Sequence, residues 1–360
     1  MPIRLLIICL FSLFTAGCVI SPELGSRYCT KTAGNLGDPA IVEVYFATDR
    51  EESTENGQYP KFGPNRADKL SFGRLTIKLP GDNERDFGSI SPAFSVVKAE
   101  QINTAPAFSD ALHKASIKYD ATGKPLPGMI FVHGYAESFE RVAFRLAQIV
   151  HDGCLDVVPI VFSWPSRDGA LDYHYDLDSA SFSRPHLSRL FQIVTEESGL
   201  DQTHIFAHSM GNWLTLEALQ AFRRDGKESG ASSLRGQIGA LILASPDVDA
   251  DLFKEELPMA MAAADRVALF VSQKDALLQI SSALAHGAPR AGNASPEELQ
   301  NRRIFDNRNF TIVPMDGPEI GECFDGSHRC AETNARVLKQ IRALLRTQYR
   351  SARWRSASKT

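Results

Sequence analysis

Several function classes leave no mark on this sequence. Its one long apolar run, LLIICLFSLF beside the N-terminus, is too short to cross a bilayer as a helix. There is no CxxC and no HExxH spacing, so no familiar zinc pattern. The spaced acids of SPDVDAD (245–251) lack the glycine and glutamate of a calcium loop. Formal charge is nearly balanced at −4, and no broad basic field points to a nucleic-acid partner. No internal repeat or long low-complexity segment interrupts the chain. What remains is 360 residues with 43% hydrophobic content, enough for one large α/β core.

The N-terminus reads as an export device. MPIR supplies a positive charge, the apolar run follows, and TAGC closes with small residues before Cys18. Residues 1–17 are expected to be a signal peptide and Cys18 a lipidated first residue, as in a bacterial lipobox, although Thr15 stands where leucine is usual. An ordinary secretory signal cleaved nearby is the alternative. Residues 18–40 then form a lipidated tether, rich in Gly, Ser and Thr. The expected location is the cell envelope, facing the periplasm or the exterior. Val19 points to the outer membrane if the cell has two. Export leaves Cys29, Cys154, Cys323 and Cys330 in an oxidising compartment, which favours disulfides over metal ligation. Cys323–Cys330 with Cys29–Cys154 is the simplest of three pairings. Residues 348–360 form a basic tail, read as a frayed solvated end.

Between these ends, residues 41–128 carry strand-like runs (IVEVYFATDR, FGRLTIKLP, AFSVV) among polar breakers, and read as an N-terminal extension of a sheet. From 129 to 347 apolar strands alternate with amphipathic helices. That alternation implies a mostly parallel central sheet with helices on both faces. Pro185 is placed in the first turn of the helix around SFSRPHLSRLFQIV, and the segments 164–178 and 276–299 are read as loops forming walls or a lid. Active sites in such folds gather after the strands.

The residues after each strand therefore carry the argument. Ala207-His208-Ser209-Met210-Gly211 is a G-x-S-x-G nucleophile elbow with alanine in its first position, which presents Ser209 on a sharp strand-to-helix turn. An oxyanion hole needs two N–H donors. Met210, after the nucleophile, gives one, and Tyr135, in the His133-Gly134-Tyr135 turn, gives the other. His133 is expected to shape that turn, not to react. Asp275, after RVALFVS, is the first candidate for the acid. Asp249 is the alternative, and Asp247 and Asp251 are its neighbours. His328, after the last strand and before the closing helix, completes the order Ser, Asp, His. His286 also lies in a loop, but before the last strand.

FVHGY (131–135), FSWPS (162–166), AHSMGN (207–212), SPDVDAD and the late His328 together resemble a bacterial α/β-hydrolase family long catalogued as a domain of unknown function. Its members are often exported or lipid-anchored and esterase- or lipase-like. The resemblance spans about residues 40–345 and implies the α/β-hydrolase fold, with Ser209 as nucleophile and His328 as base. One departure is the pair of cysteines bracketing His328 in GECFDGSHRC, where an aromatic-rich stretch is usual in that family. The expected activity is a serine carboxylesterase on small or medium acyl esters, with no cofactor and no metal. The partners expected are a small-molecule ester and, through the lipid, a membrane. Lipase, thioesterase and amidase chemistry stay open, as do two rivals. One is an envelope lipoprotein that uses the fold only for binding, and the other is a metal-dependent hydrolase built on His328 and its cysteines. The sequence does not specify an oligomeric state.

Overall fold

The computed structural model describes residues 39–346 apart from 54–60, 82–89, 91–92, 119–124, 168, 170–171, 229–236, 296–297, 300–308, 319, 322 and 324–327. The expected signal peptide, Cys18, the tether up to residue 38, Cys29 and the basic tail lie outside the described residues, and Ala40, placed at the end of the tether, opens the first strand.

The chain builds a nine-stranded sheet. In order come β1 (Ala40–Glu52), β2 (Phe62–Leu79), β3 (Ser95–Ile102), α1 (Ala105–Lys118), β4 (Gly128–Val132), α2 (Phe139–Asp152), β5 (Val158–Ser163), α3 (Tyr173–Gln192), β6 (Thr203–His208) and α4 (Met210–Glu228). β7 (Ile238–Ala244), α5 (Ala250–Ala263), β8 (Ala264–Val271), α6 (Ala276–Leu284), β9 (Phe310–Pro314), α7 (Cys330–Thr333) and α8 (Ala335–Arg346) complete it. The spatial order is β3-β2-β1-β5-β4-β6-β7-β8-β9. β1, β2 and β3 form an antiparallel meander, and β1 then joins β5 in parallel. From β5 to β9 every pair is parallel.

β4, β5, β6 and β7 are buried at every position, as expected of strands covered on both faces. Two apolar clusters fill the two sides. One packs Phe108, Leu190, Leu214 and Phe253 of α1, α3, α4 and α5. The other packs Val142 and Leu146 of α2 with Val337 and Ile341 of α8.

Three local expectations are corrected. α1 falls inside a stretch read as sheet extension. Its buried Phe108, Leu112 and Ala115 lie on one helical stripe, and the Thr104 hydroxyl accepts the Ala107 N–H at 3.3 Å at its start. α3 starts at Tyr173, so Pro185 sits inside the helix and not in its first turn. The first turns, YHYDLD, are too polar to show a helical period, and they are held instead by the buried Asp176 carboxylate. α6 lies in a segment read as loop. Leu277, Ile280 and Leu284 are 49%, 55% and 67% exposed, so its apolar residues do not mark a buried stripe. Asp275 nonetheless caps it, accepting the Leu278 N–H at 3.1 Å.

Candidate active site

Ser209 sits between β6 and α4 with φ of +52°, a left-handed conformation for a residue with a Cβ. Such strain is held only where the surroundings over-determine it. Here the Ser209 N–H donates to Ala244 O at 3.0 Å, and its carbonyl accepts from the Asn212 side chain at 2.9 Å. Gly211 permits the turn to close, since a Cβ there would lie 2.4 Å from His133 O. The Met210 N–H opens α4, where first-turn donors have no intrahelical partner and the helix dipole is positive.

The His133-Gly134-Tyr135 turn lies directly against the serine. A Cβ on Gly134 would stand 2.8 Å from Ser209 Cβ and 3.3 Å from Ser209 Oγ. His133 is buried and structural: its Nε2 accepts the Trp164 N–H at 3.1 Å, Nδ1 faces Gly134 O at 2.7 Å, and its ring stacks on the Trp164 indole. Burial, with the Arg50 charge nearby, pushes this histidine well below its ordinary value. Trp164, at the start of the segment read as a wall or lid, is thus spent on the turn.

Residues that sequence reasoning did not single out hold the rest of this turn. Arg50 is 1% exposed and donates to Ser163 Oγ at 2.9 Å, Ser166 O at 2.9 Å and Glu137 O at 2.6 Å. Asp176, from α3, accepts the Ala136 N–H at 3.2 Å, the Arg167 N–H at 2.9 Å and the Ser166 hydroxyl at 2.5 Å. Ser166 Oγ in turn accepts the Glu137 N–H at 3.1 Å. Burial still leaves the Asp176 carboxyl above its usual range, against those bonds and the Arg50 charge. The segment that carries Tyr135 N–H is therefore clamped from β1, β5 and α3. Only the buried arginine of ATDR and the acid of YHYDLD could have hinted at this in the sequence.

His328 and Asp275 meet. His328 Nδ1 lies 2.8 Å from Asp275 Oδ2, and the two are 6% and 0% exposed. Burial pushes the His328 imidazolium down. The Asp275 carboxylate raises it by charge and by hydrogen bond, and the balance lies above the ordinary histidine value. Asp249 is corrected as the alternative acid: its Oδ1 accepts the Asp251 and Leu252 N–H groups and caps α5. Asp247 is also engaged elsewhere, with the Tyr173 hydroxyl at 3.0 Å, Ser281 at 2.6 Å and Arg290 at 3.3 Å. His286 is exposed, on the loop after α6.

His328 reaches the serine's neighbourhood through the residue before it. His208 Nε2 lies 2.9 Å from His328 O, and the two rings pack edge-on with centroids 4.8 Å apart. Among the described residues the Ser209 hydroxyl has no hydrogen-bond partner. Such contacts often tighten only with substrate bound. Tyr135 and Tyr173 form an edge-on pair at 5.5 Å on the Asp247 side, while Tyr175 lies under the Arg167 guanidinium. Burial pushes the Tyr135 and Tyr173 phenols up to about 12, so both stay protonated donors.

Cys323 and Cys330, on either side of His328, are joined in a disulfide. They are bonded to each other and do not present thiolates to a metal. Cys154 is also disulfide-bonded. Among the described residues no cluster of three or more His, Cys, Asp or Glu side chains could hold a metal ion, and no helix is long and apolar enough to cross a membrane.

Residues 117–344, well over half of the chain, match a family described as alpha/beta hydrolase of unknown function. The parallel sheet with helices on both faces agrees with that fold. No curated protein matches the chain. Solved structures similar to it include Aspergillus fumigatus lipase B, at 12% identity over 63% of this chain and 53% of that one, with a TM-score of 0.39. This chain thus spans about half the length of that lipase. The Pyrococcus furiosus esterase matches at 12% over 61% and 80%, TM-score 0.34. Esterase B from Lactobacillus rhamnosis, with an inhibitor bound, matches at 15% over 61% and 77%, TM-score 0.33.

Proposed function

We propose that this chain, which belongs to the α/β-hydrolase family of unknown function, is a serine carboxylesterase that cleaves small or medium acyl esters through an acyl-enzyme. The observation that carries this reading is the buried His328–Asp275 couple, packed against His208, the residue before a serine on a strained strand-to-helix turn.

Ser209 Oγ attacks the ester carbonyl while His328 Nε2 takes its proton. Asp275 keeps the other ring nitrogen protonated and stabilises the imidazolium that forms. The N–H groups of Tyr135 and Met210 bond the oxyanion of the tetrahedral intermediate. One is on a clamped turn and the other at a helix start, so neither needs to reorganise. Collapse expels the alcohol with the proton from His328. Water, deprotonated by the same histidine, then releases the acid and regenerates Ser209. No step calls on a metal or an organic cofactor.

The connection between β7 and β8 contains α5 and no further folded unit. That leaves no cap domain at the position where bulky acyl chains are often enclosed, and supports a small or medium acyl group. The signal peptide and the lipid on Cys18 that the sequence leads one to expect support action at the cell envelope, with that lipid as the proposed membrane contact.

The test is hydrolysis of p-nitrophenyl esters of graded acyl length by wild-type protein and Ser209→Ala. Turnover that falls to background in the variant supports the reading. Equal rates would sink it.

A further inference from the structure

His208 stands immediately before the nucleophile, and the proposed reaction gives it no task. Its imidazole is 4% exposed, and an acceptor oxygen lies near each ring nitrogen. Nδ1 lies 3.1 Å from Glu332 Oε1, and Nε2 lies 2.9 Å from the main-chain oxygen of His328. A neutral imidazole has one donor nitrogen and one acceptor nitrogen, so it cannot donate to both a carboxylate and a carbonyl. If the proton sat on Nδ1 alone, the Nε2 lone pair would be aimed at the His328 carbonyl. Nε2 is therefore the protonated nitrogen, and Nε2–H donates to His328 O.

The consequence falls on His328. Its carbonyl receives a second donor, Ser245 Oγ at 2.9 Å, so two side chains fix its main chain from below. Glu332 belongs to α7, the short helix that starts at Cys330, and its other oxygen lies 3.4 Å from Arg145 Nε of α2. We propose that His208 and Glu332 are positioning residues: the His208 Nε2–H, with the Ser245 hydroxyl, sets the His328 main chain beside Ser209, and Glu332 holds the His208 ring from its Nδ1 side. This rests on the reading of His328 as the general base.

The charged and titratable groups around His208 are Glu332 and Arg145, the neighbouring Arg329, and His328, Asp275 and His133. Burial, with the His328 and Arg329 charges, pushes His208 well below its ordinary value. That favours a neutral ring with its proton on Nε2.

The experiment pairs 15N-resolved NMR of the histidine rings with kinetics, on the full chain. The His208 ring signals are assigned by their loss in His208→Asn. In wild type at neutral pH, His208 shows a slowly exchanging Nε2–H. Glu332→Gln keeps it, because the glutamine amide can donate to Nδ1, and keeps kcat within about threefold. Glu332→Ala takes the neighbour of Nδ1 away, loosens the ring under the His328 carbonyl and lowers kcat about ten- to a hundredfold with little change in KM, as small misplacements of a catalytic group do. A merely structural glutamate would lower the stability of Glu332→Ala and leave the kcat of its folded fraction unchanged. A wild-type His208 protonated on Nδ1 alone, or a Glu332→Ala protein with unchanged kcat, overturns the proposal. If Glu332→Ala does not fold, the wild-type tautomer and the glutamine variant decide it. The tautomer is read without turnover, so a protein with no esterase activity would sink the hydrolase reading and leave the His208 result standing.

Discussion

Asp275 and His328 lie 53 positions apart in the chain and meet through one 2.8 Å hydrogen bond, with the carboxylate wholly buried. The two oxygens have separate tasks: Oδ2 holds the His328 ring, and Oδ1 caps α6 through the Leu278 N–H. Asp275→Asn keeps a cap oxygen but loses the charge opposite the imidazolium. It should cut kcat on a p-nitrophenyl ester by about 10³–10⁴. Asp249→Asn, which touches only a helix cap, should leave kcat within about twofold and cost about 1 kcal/mol or less of stability. Parallel kinetics and thermal melts of the two variants check both.

The pH profile follows from the sign of the His328 shift. The ring must be neutral to accept the Ser209 proton, and Asp275 raises it above the ordinary 6.5. Activity should therefore climb through a value above 6.5 as pH rises. In Asp275→Asn only burial and the remaining charges act on the ring, and the acidic limb should move to lower pH. For stability the sign is opposite. The couple's contribution is fully present below the unfolded histidine value and is lost as pH rises through the folded one. Rate–pH profiles and melts between pH 5 and 9, roughly two units either side of an ordinary histidine, test both directions.

Gly134 has no room for a side chain on the face toward the nucleophile. A Cβ would sit 2.8 Å from Ser209 Cβ. Gly134→Ala should push the oxyanion turn off the serine and lower kcat about a hundredfold, the scale of losing one oxyanion donor. Labelling of Ser209 by a fluorophosphonate, followed over time, would register the loss as a slower rate.

Asp176 ties three donors around the same turn. Asp176→Ala leaves them unpaired in a buried place and should cost about 2–4 kcal/mol of stability. The residual folded protein should show a reduced kcat with KM near wild type. Urea unfolding alongside steady-state kinetics measures each part.

The Cys323–Cys330 disulfide spans the loop that carries His328. In the loop-entropy account so short a ring adds roughly 2–3 kcal/mol. Cys323→Ser/Cys330→Ser should lose turnover at 25 °C to a greater degree than it loses folded protein. Unchanged turnover in a folded double variant would reduce the bridge to a stability feature.

The sequence made the central sheet readable because β4 to β8 are apolar strands, each ending in a chemically distinctive residue or turn: HGY, SWPS, HSMG, SPD, QKD. The Asp275–His328 pairing was legible for the same reason, since the order of these ends limits which acid can meet a late histidine. Where partners lie far apart in sequence and no period marks them, reading stopped. Arg50 and Glu137 are separated by 87 positions, and His208 and the His328 carbonyl by 120. α6 was hidden because Leu277, Ile280 and Leu284 face outward and leave no buried stripe, and the start of α3 because a buried aspartate, not an apolar stripe, holds it.

The most direct measurement is covalent labelling of the purified protein with a fluorophosphonate, located by peptide mass spectrometry. The account predicts one adduct, on Ser209, that disappears in Ser209→Ala and forms far more slowly in His328→Ala. Wild-type protein that stays unlabelled while folded, or labelling that persists unchanged in Ser209→Ala, would contradict it.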